Sequence, residues 1–155
     1  MSDAPSLRIL VLPAKPFPCD HPMLESVFAT RLPAAGHSVA WVMRSDLPGP
    51  GPVSWRASSV FLAPSPSGGL MSTALARLRY AAAVLRAARR VRPHVVVVRN
   101  SIGSGLLGLW LRARSGSRLC FQVSFPTLEL RREQARAGRS NHGRIRAAAS
   151  GTYIL

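Results

Sequence analysis

Five short apolar runs with no polar alternation constrain this chain more than any other feature. They are residues 7–12 (LRILVL), 39–43 (VAWVM), 60–63 (VFLA), 95–98 (VVVV) and 119–123 (LCFQV). A strand with one wet face alternates. A strand that is apolar throughout is buried on both faces, as in parallel sheets covered by helices on either side. Helical patterns lie between most of the runs. In residues 21–35, Leu24, Val27, Phe28 and Leu32 recur at i, i+3, i+4 and i+8, which is one helix face. Asp20 suits the cap of that helix, and Pro22 suits its first turn. Gly36 marks its stop, and Pro33 is expected to distort its last turn. Residues 70–91 read as the longest helix. Leu75, Leu78, Ala82 and Leu85 fall on one apolar stripe there, expected to pack inward, with Arg79, Arg86 and Arg90 elsewhere on the wheel. A third helix is expected over 103–114, and the Pro/Gly/Ser-rich stretches 47–52 and 64–69 read as loops. Strands alternating with helices predict right-handed βαβ units. The expected fold is therefore α/β: a Rossmann-like, doubly wound, mainly parallel sheet.

At 155 residues the chain is one ordinary domain. No apolar run approaches the ~20 residues of a membrane span. The start, MSDAPSLRILVLPAKP, has no cationic segment ahead of an apolar one, so it does not read as a secretory leader. Cys19 and Cys120 form no CxxC pair, which fits a reducing cytoplasm. The charge is +15, with 21 Lys plus Arg against 6 Asp plus Glu; Lys15 is the single lysine. It is concentrated: +6 lies in residues 77–92 and +5 after residue 130. Arginine clusters grip phosphates in bidentate fashion. A basic amphipathic helix can also lie on anionic lipid. Nucleic acid fits less well, because aromatics are only 6% and no helix-turn-helix, zinc-finger or RNP pattern is present.

Residues 103–108 (GSGLLG) match GxGxxG between a strand and a helix. In a dinucleotide site such glycines let a pyrophosphate approach a helix N-terminus. The same glycines also serve close packing of a helix on a sheet. Four residues separate the strand from the first glycine, and no acidic residue closes the next strand. Cys19, Asp20 and His21 are consecutive, with Glu25 a turn later. Adjacent residues rarely converge on one ion, and no second Cys/His pair accompanies them, so no metal site is expected. No GxxxxGK[ST] loop is present. His37 and His94 stand at strand entrances and are read as structural.

The order of these segments carries a resemblance. The opening RILVLPAKPFPCDHPMLESVFATRLPAAGHSVAWVM resembles the start of family 4 glycosyltransferases: strand, Pro-containing loop, helix, and a Gly36-His37 turn into strand two. Further on, RPHVVVVRNSIGSGLLGLWLRARSGSRLCFQVSFPTLE resembles their fourth strand, helix and fifth strand. The likeness covers about residues 7–130. It implies one half of a GT-B fold, in which two Rossmann-like domains face a cleft. The amino-terminal half handles the acceptor and the other half binds most of the sugar nucleotide. It implies residues 1–130 as that amino-terminal domain. Residues 131–155 would be an Arg-rich, incomplete continuation of it. The donor domain and its paired-glutamate motif are missing, and Val123-Ser124-Phe125-Pro126 stands where the family carries a His-Asp type signal. The expectation is a truncated acceptor half, of hexosyltransferase type if completed by a donor-binding domain and inactive alone.

On that reading the acceptor and cleft-lining candidates follow the carboxyl ends of the strands. They are Lys15, Asp20, His21 and Glu25 after strand one, Arg99, Asn100 and Ser101 after strand four, and Ser124 and Glu129 after strand five. No catalytic residue is assigned. No cofactor is expected in this half, the sugar nucleotide being a co-substrate of the complete enzyme. The implied partners are an acceptor sugar, lipid-linked acceptor or small molecule, a separate donor-domain chain, and peripheral contact with an anionic membrane at its cytoplasmic face. The other readings are a dinucleotide-binding oxidoreductase domain, from GSGLLG, and a basic non-enzymatic module for membrane or nucleic acid.

Overall fold

A computed structural model describes residues 5–19, 21–46 and 52–123. The order of elements is β1 (Arg8–Leu12), α1 (Pro22–Leu24), a π-helical stretch (Glu25–Arg31), α2 (Leu32–Ala34), β2 (Ser38–Ser45), β3 (Pro52–Trp55), β4 (Ser58–Pro64), α3 (Leu70–Val91), β5 (Val95–Arg99), α4 (Ile102–Ser115) and β6 (Arg118–Gln122). The strands form one sheet in the order β3-β4-β2-β1-β5-β6, all parallel except the β3–β4 hairpin. This is the doubly wound α/β sheet that the apolar runs predict.

Alternate residues of each strand serve opposite faces. On one face Leu10, Leu12, Ala40, Val42, Val96 and Val98 pack with Tyr80, Ala83, Val84 and Ala87 of α3 and Leu111 of α4. On the other, Ile9, Val11, Val39, Trp41, Met43 and Val97 pack with Leu24 and Ala29. Edge-to-face rings extend that second layer: Phe28 to Trp41 at 6.1 Å, Trp41 to Trp55 at 5.5 Å and Phe17 to Trp55 at 6.2 Å. His37 and His94 do hold the start of the sheet. Their Nδ1 atoms accept the amides of Leu7 (3.3 Å) and Arg8 (3.2 Å).

Four departures from the sequence pattern have physical causes. The first helix is wound as a π-helix over seven residues, with the Leu32 amide donating five residues back to Val27. Pro33 lacks an N–H, and in a regular helix its ring meets the carbonyl four residues earlier; a wider turn ahead of it relieves the clash. Next, β3 follows a stretch read as loop through residue 52. It is a short edge strand that opens on Pro52, where a missing N–H is tolerated. Third, β6 is not buried on both faces: Phe121 is 45% exposed, since β6 is the end strand of the described sheet. Last, the inward stripe of α3 is Ala76, Tyr80, Ala83 and Ala87, whereas Leu75 and Leu78 are exposed. Small residues let that helix lie close to the sheet, so Leu75 and Leu78 face away, while Leu85 packs partly against the core.

The GSGLLG glycines lie inside α4 rather than on a turn before it. A Cβ on Gly108 would stand 2.7 Å from Leu119 Cδ1 and 3.1 Å from Val98 Cγ2, and one on Gly105 would stand 2.8 Å from the Phe121 ring. A Cβ on Gly103 meets nothing. Gly105 and Gly108 thus serve close helix–sheet packing. Replacing Gly103 by alanine should stabilise the domain by about 0.5–1 kcal/mol through helix propensity. Gly108→Ala should finish at least about 1 kcal/mol less stable than Gly103→Ala, because overpacking offsets the same gain. Parallel urea melts of the two variants check this.

Candidate functional site

The sheet reverses direction at β1. The chain leaves β1 toward β2 on one side, while the crossover from β4 through α3 returns to β5 on the other. Open α/β sheets bind ligands beyond the strand carboxyl ends at such a reversal. Here that place is bounded by the loop after β1, by Arg99 at the end of β5, and by Asn100 and Ser101 after it.

Arg99 and His21 meet there, 78 residues apart in sequence. Arg99 Nη2 lies 3.1 Å from His21 Nε2, and Nη1 lies 3.5 Å from Nδ1. A guanidinium only donates, so the imidazole nitrogen it bonds is the accepting one. Arg99 is 7% exposed, on the sheet face covered by the first helix. Its charge therefore sits in a rigid setting. Asn100 turns the chain in the left-handed conformation (φ 52°), which Asn tolerates well, and its amide donates to the Gln122 carbonyl at 3.1 Å. Ser101 caps α4, accepting the Ser104 amide at 3.2 Å.

Across the sheet, at the same end, a cavity of about 510 Å³ opens between α3 and α4. Its lining includes Arg44, Arg77, Tyr80, Ser101, Ser104 and Leu107. Two guanidiniums and the α4 N-terminus give it a positive field suited to an anion. Arg44 stacks 5.4 Å above the Tyr80 ring. The Tyr80 hydroxyl points at the Val42 carbonyl, 3.5 Å away. Burial pushes the Tyr80 phenol above its usual value of 10.0, while a Ser104 hydrogen bond and the Arg44 charge oppose the rise. Folding thus favours the protonated phenol. Its contribution to stability is complete below about pH 10 and is lost as pH climbs through the raised value. Tyr80→Phe should therefore lose less stability than wild type above about pH 10, measured by urea melts across alkaline pH.

The sequence-derived candidates divide. His21, Arg99, Asn100 and Ser101 gather at the reversal point. Lys15 is exposed in the loop after β1. Glu25 is drawn away: its carboxylate pairs with Arg56 of the β3–β4 turn. Asp20, Ser124 and Glu129 lie outside the described residues. Arg44, Arg77, Tyr80 and Ser104 were not foreseen. Arg44 had a usable signal, a cation directly after the apolar run of strand two. Among the described residues no three His, Cys, Asp or Glu side chains gather as a metal-holding group. No described helix is long and apolar enough to cross a membrane.

A family model described as a glycosyl transferase 4-like domain matches residues 27–152. Among solved structures, the fold is similar to that of CalG4, the calicheamicin glycosyltransferase, with a TM-score of 0.51 at 18% identity. The match covers 97% of this chain and 43% of that one, so the chain spans less than half the length of that structure. No curated protein gave a significant sequence match.

Proposed function

From the premise that the chain belongs to the glycosyl transferase 4-like domain family, we propose that it is the acceptor-binding half of a sugar-nucleotide-dependent glycosyltransferase. In this reading it is one Rossmann-like half of a GT-B enzyme and needs a donor-binding domain for turnover. The observation that carries it is the Arg99–His21 pair at the sheet reversal, with the Arg44–Arg77 cavity at the same end of the sheet on its other face.

Arg99 orients the His21 ring toward the crevice, where the imidazole and Asn100 meet acceptor hydroxyls. Arg44 and Arg77 hold phosphate, either of the acceptor or of the departing nucleotide diphosphate. Positive groups aimed at departing phosphates stabilise the charge that develops there. The acceptor is a sugar, a lipid-linked sugar or a small molecule. This half binds no cofactor of its own, and the sugar nucleotide enters as co-substrate of the completed enzyme. The protein works in the cytoplasm, at the inner face of the membrane.

The test is transfer from a panel of nucleotide sugars, with the chain alone and with a donor-binding domain supplied in trans or by fusion. Transfer is expected only in the second case. Turnover by the chain alone would overturn the incompleteness. Saturable binding of NAD(H) or NADP(H), with no transfer in either arrangement, would replace the reading with the oxidoreductase one.

A further inference from the structure

A second cavity, of about 550 Å³, lies at the amino end of the sheet, the end opposite the Arg99–His21 crevice. Arg8 opens β1, Arg92 ends α3, and Arg114 stands in the last turn of α4; with Arg89 of α3 they line this one space. Its lining holds no acidic residue. Helix ends offset part of the charge, because α3 and α4 both finish here. A helix carboxyl end is worth about −0.5. Two such ends supply about −1 against the +4 of the guanidiniums, so roughly +3 is left for a ligand.

The cluster is built into the backbone. Arg8 Nε donates to the Arg92 carbonyl at 2.9 Å, and the Arg8 amide donates to His94 Nδ1 at 3.2 Å. α4 ends on Gly116 in the left-handed conformation (φ 69°), the usual residue for that place. α3 ends in the same conformation on Arg92 (φ 48°). A side chain is disfavoured there, since its Cβ crowds the following carbonyl. An arginine set against local preference marks a site more than a solvated face does.

The rest of the wall is apolar. Trp110 is 47% exposed, Leu85 and Ala88 are half-buried, and Leu111 is buried beneath them. The Arg114 guanidinium lies 5.7 Å from the centre of the Trp110 ring, which joins the charged part to the apolar part. An inorganic anion would leave the apolar wall in water. A neutral apolar ligand would leave the arginines unanswered. The volume is that of a small-molecule site.

We infer that this cavity binds a nucleoside diphosphate, its phosphates forked by the arginines and its base laid on the Trp110–Leu85 wall. A nucleoside diphosphate carries about −3 near neutral pH, close to two charges on the terminal phosphate and one on the inner, which matches the charge left over. The site is separate from the Arg44–Arg77 cavity, and the inference does not depend on sugar transfer.

The full chain is titrated by calorimetry with ADP, adenosine and inorganic pyrophosphate. ADP should bind at least about tenfold tighter than pyrophosphate, and adenosine should show no binding below about 1 mM. Arg89→Gln/Arg114→Gln should weaken ADP and pyrophosphate alike by about tenfold or more, with the melting temperature held. Trp110→Leu should weaken ADP about five- to tenfold and leave pyrophosphate unchanged. Arg44→Gln/Arg77→Gln, in the other cavity, should leave ADP affinity within about twofold. The proposal is overturned by no ADP binding at about 1 mM, or by equal affinity for ADP and pyrophosphate. It is also overturned if the Arg44/Arg77 variant loses ADP while the Arg89/Arg114 variant keeps it, which would assign the nucleotide to the other cavity.

Discussion

Trp41→Ala is expected to cost about 3–5 kcal/mol of stability, a large part of the roughly 5–15 kcal/mol that holds a domain of this kind together. Trp41 is fully buried in β2, between Val11 of β1 and Val60 of β4. Its indole meets Phe28 and Trp55 edge to face, so removing it undoes the contact between the first helix, the sheet and the β3–β4 hairpin at once. The melting temperature should fall by roughly 10 °C or more. Trp41→Phe separates packing from polarity. Among the described residues, the buried indole nitrogen has no hydrogen-bond partner. Removing that group offsets part of the lost contact, since burying an unpaired donor costs about 1–3 kcal/mol. Phenylalanine should therefore cost less than half as much as alanine, read from urea midpoints. Equal costs for the two variants would show that the nitrogen is satisfied in solution.

The second large effect falls on function. In an enzyme completed by a donor-binding domain, Arg99→Ala should lower kcat/KM by about 100-fold, the scale of losing one preorganised charged donor. Arg99→Lys should recover less than about tenfold of this, because a compact ammonium lacks the planar, rigid guanidinium that lies along the His21 ring. His21→Ala should cost about as much as Arg99→Ala, and the double variant little more than either. Residues that act as one unit are non-additive. Additive losses would show that the two side chains work separately.

How much of this was legible in the sequence depended on how local each cause was. Unbroken apolar runs reported β1, β2, β4 and β5, because burial on both faces leaves no alternation; the run at β6 located the strand although that strand is largely exposed. β3 had no such run: its four residues begin with Pro52 and expose three positions. The ends of α3 were readable from its Gly and Pro flanks, but its inward face was not. Hydrophobicity favours Leu75 and Leu78, whereas close approach to the sheet favours Ala76, Ala83 and Ala87. At the site, His21, Arg99, Asn100 and Ser101 were nameable from their places after strands. That His21 belongs to Arg99 and Glu25 to Arg56 follows from topology and turn geometry, which no local window contains.

The central place of β1 has a consequence for how the chain is made. β1 leaves the ribosome ahead of the other described strands, yet one of its two neighbours, β5, arrives far later; the amide of Arg8 finds its His94 partner 86 residues downstream. At ordinary synthesis rates that wait is about 4–17 s. During it, one edge of β1 is open and both its faces, Leu10 and Leu12 on one and Ile9 and Val11 on the other, await their covers. The nascent chain is therefore most vulnerable to misassociation in the interval before residue 99 emerges, and a holdase chaperone that binds short aliphatic strands would find its target there.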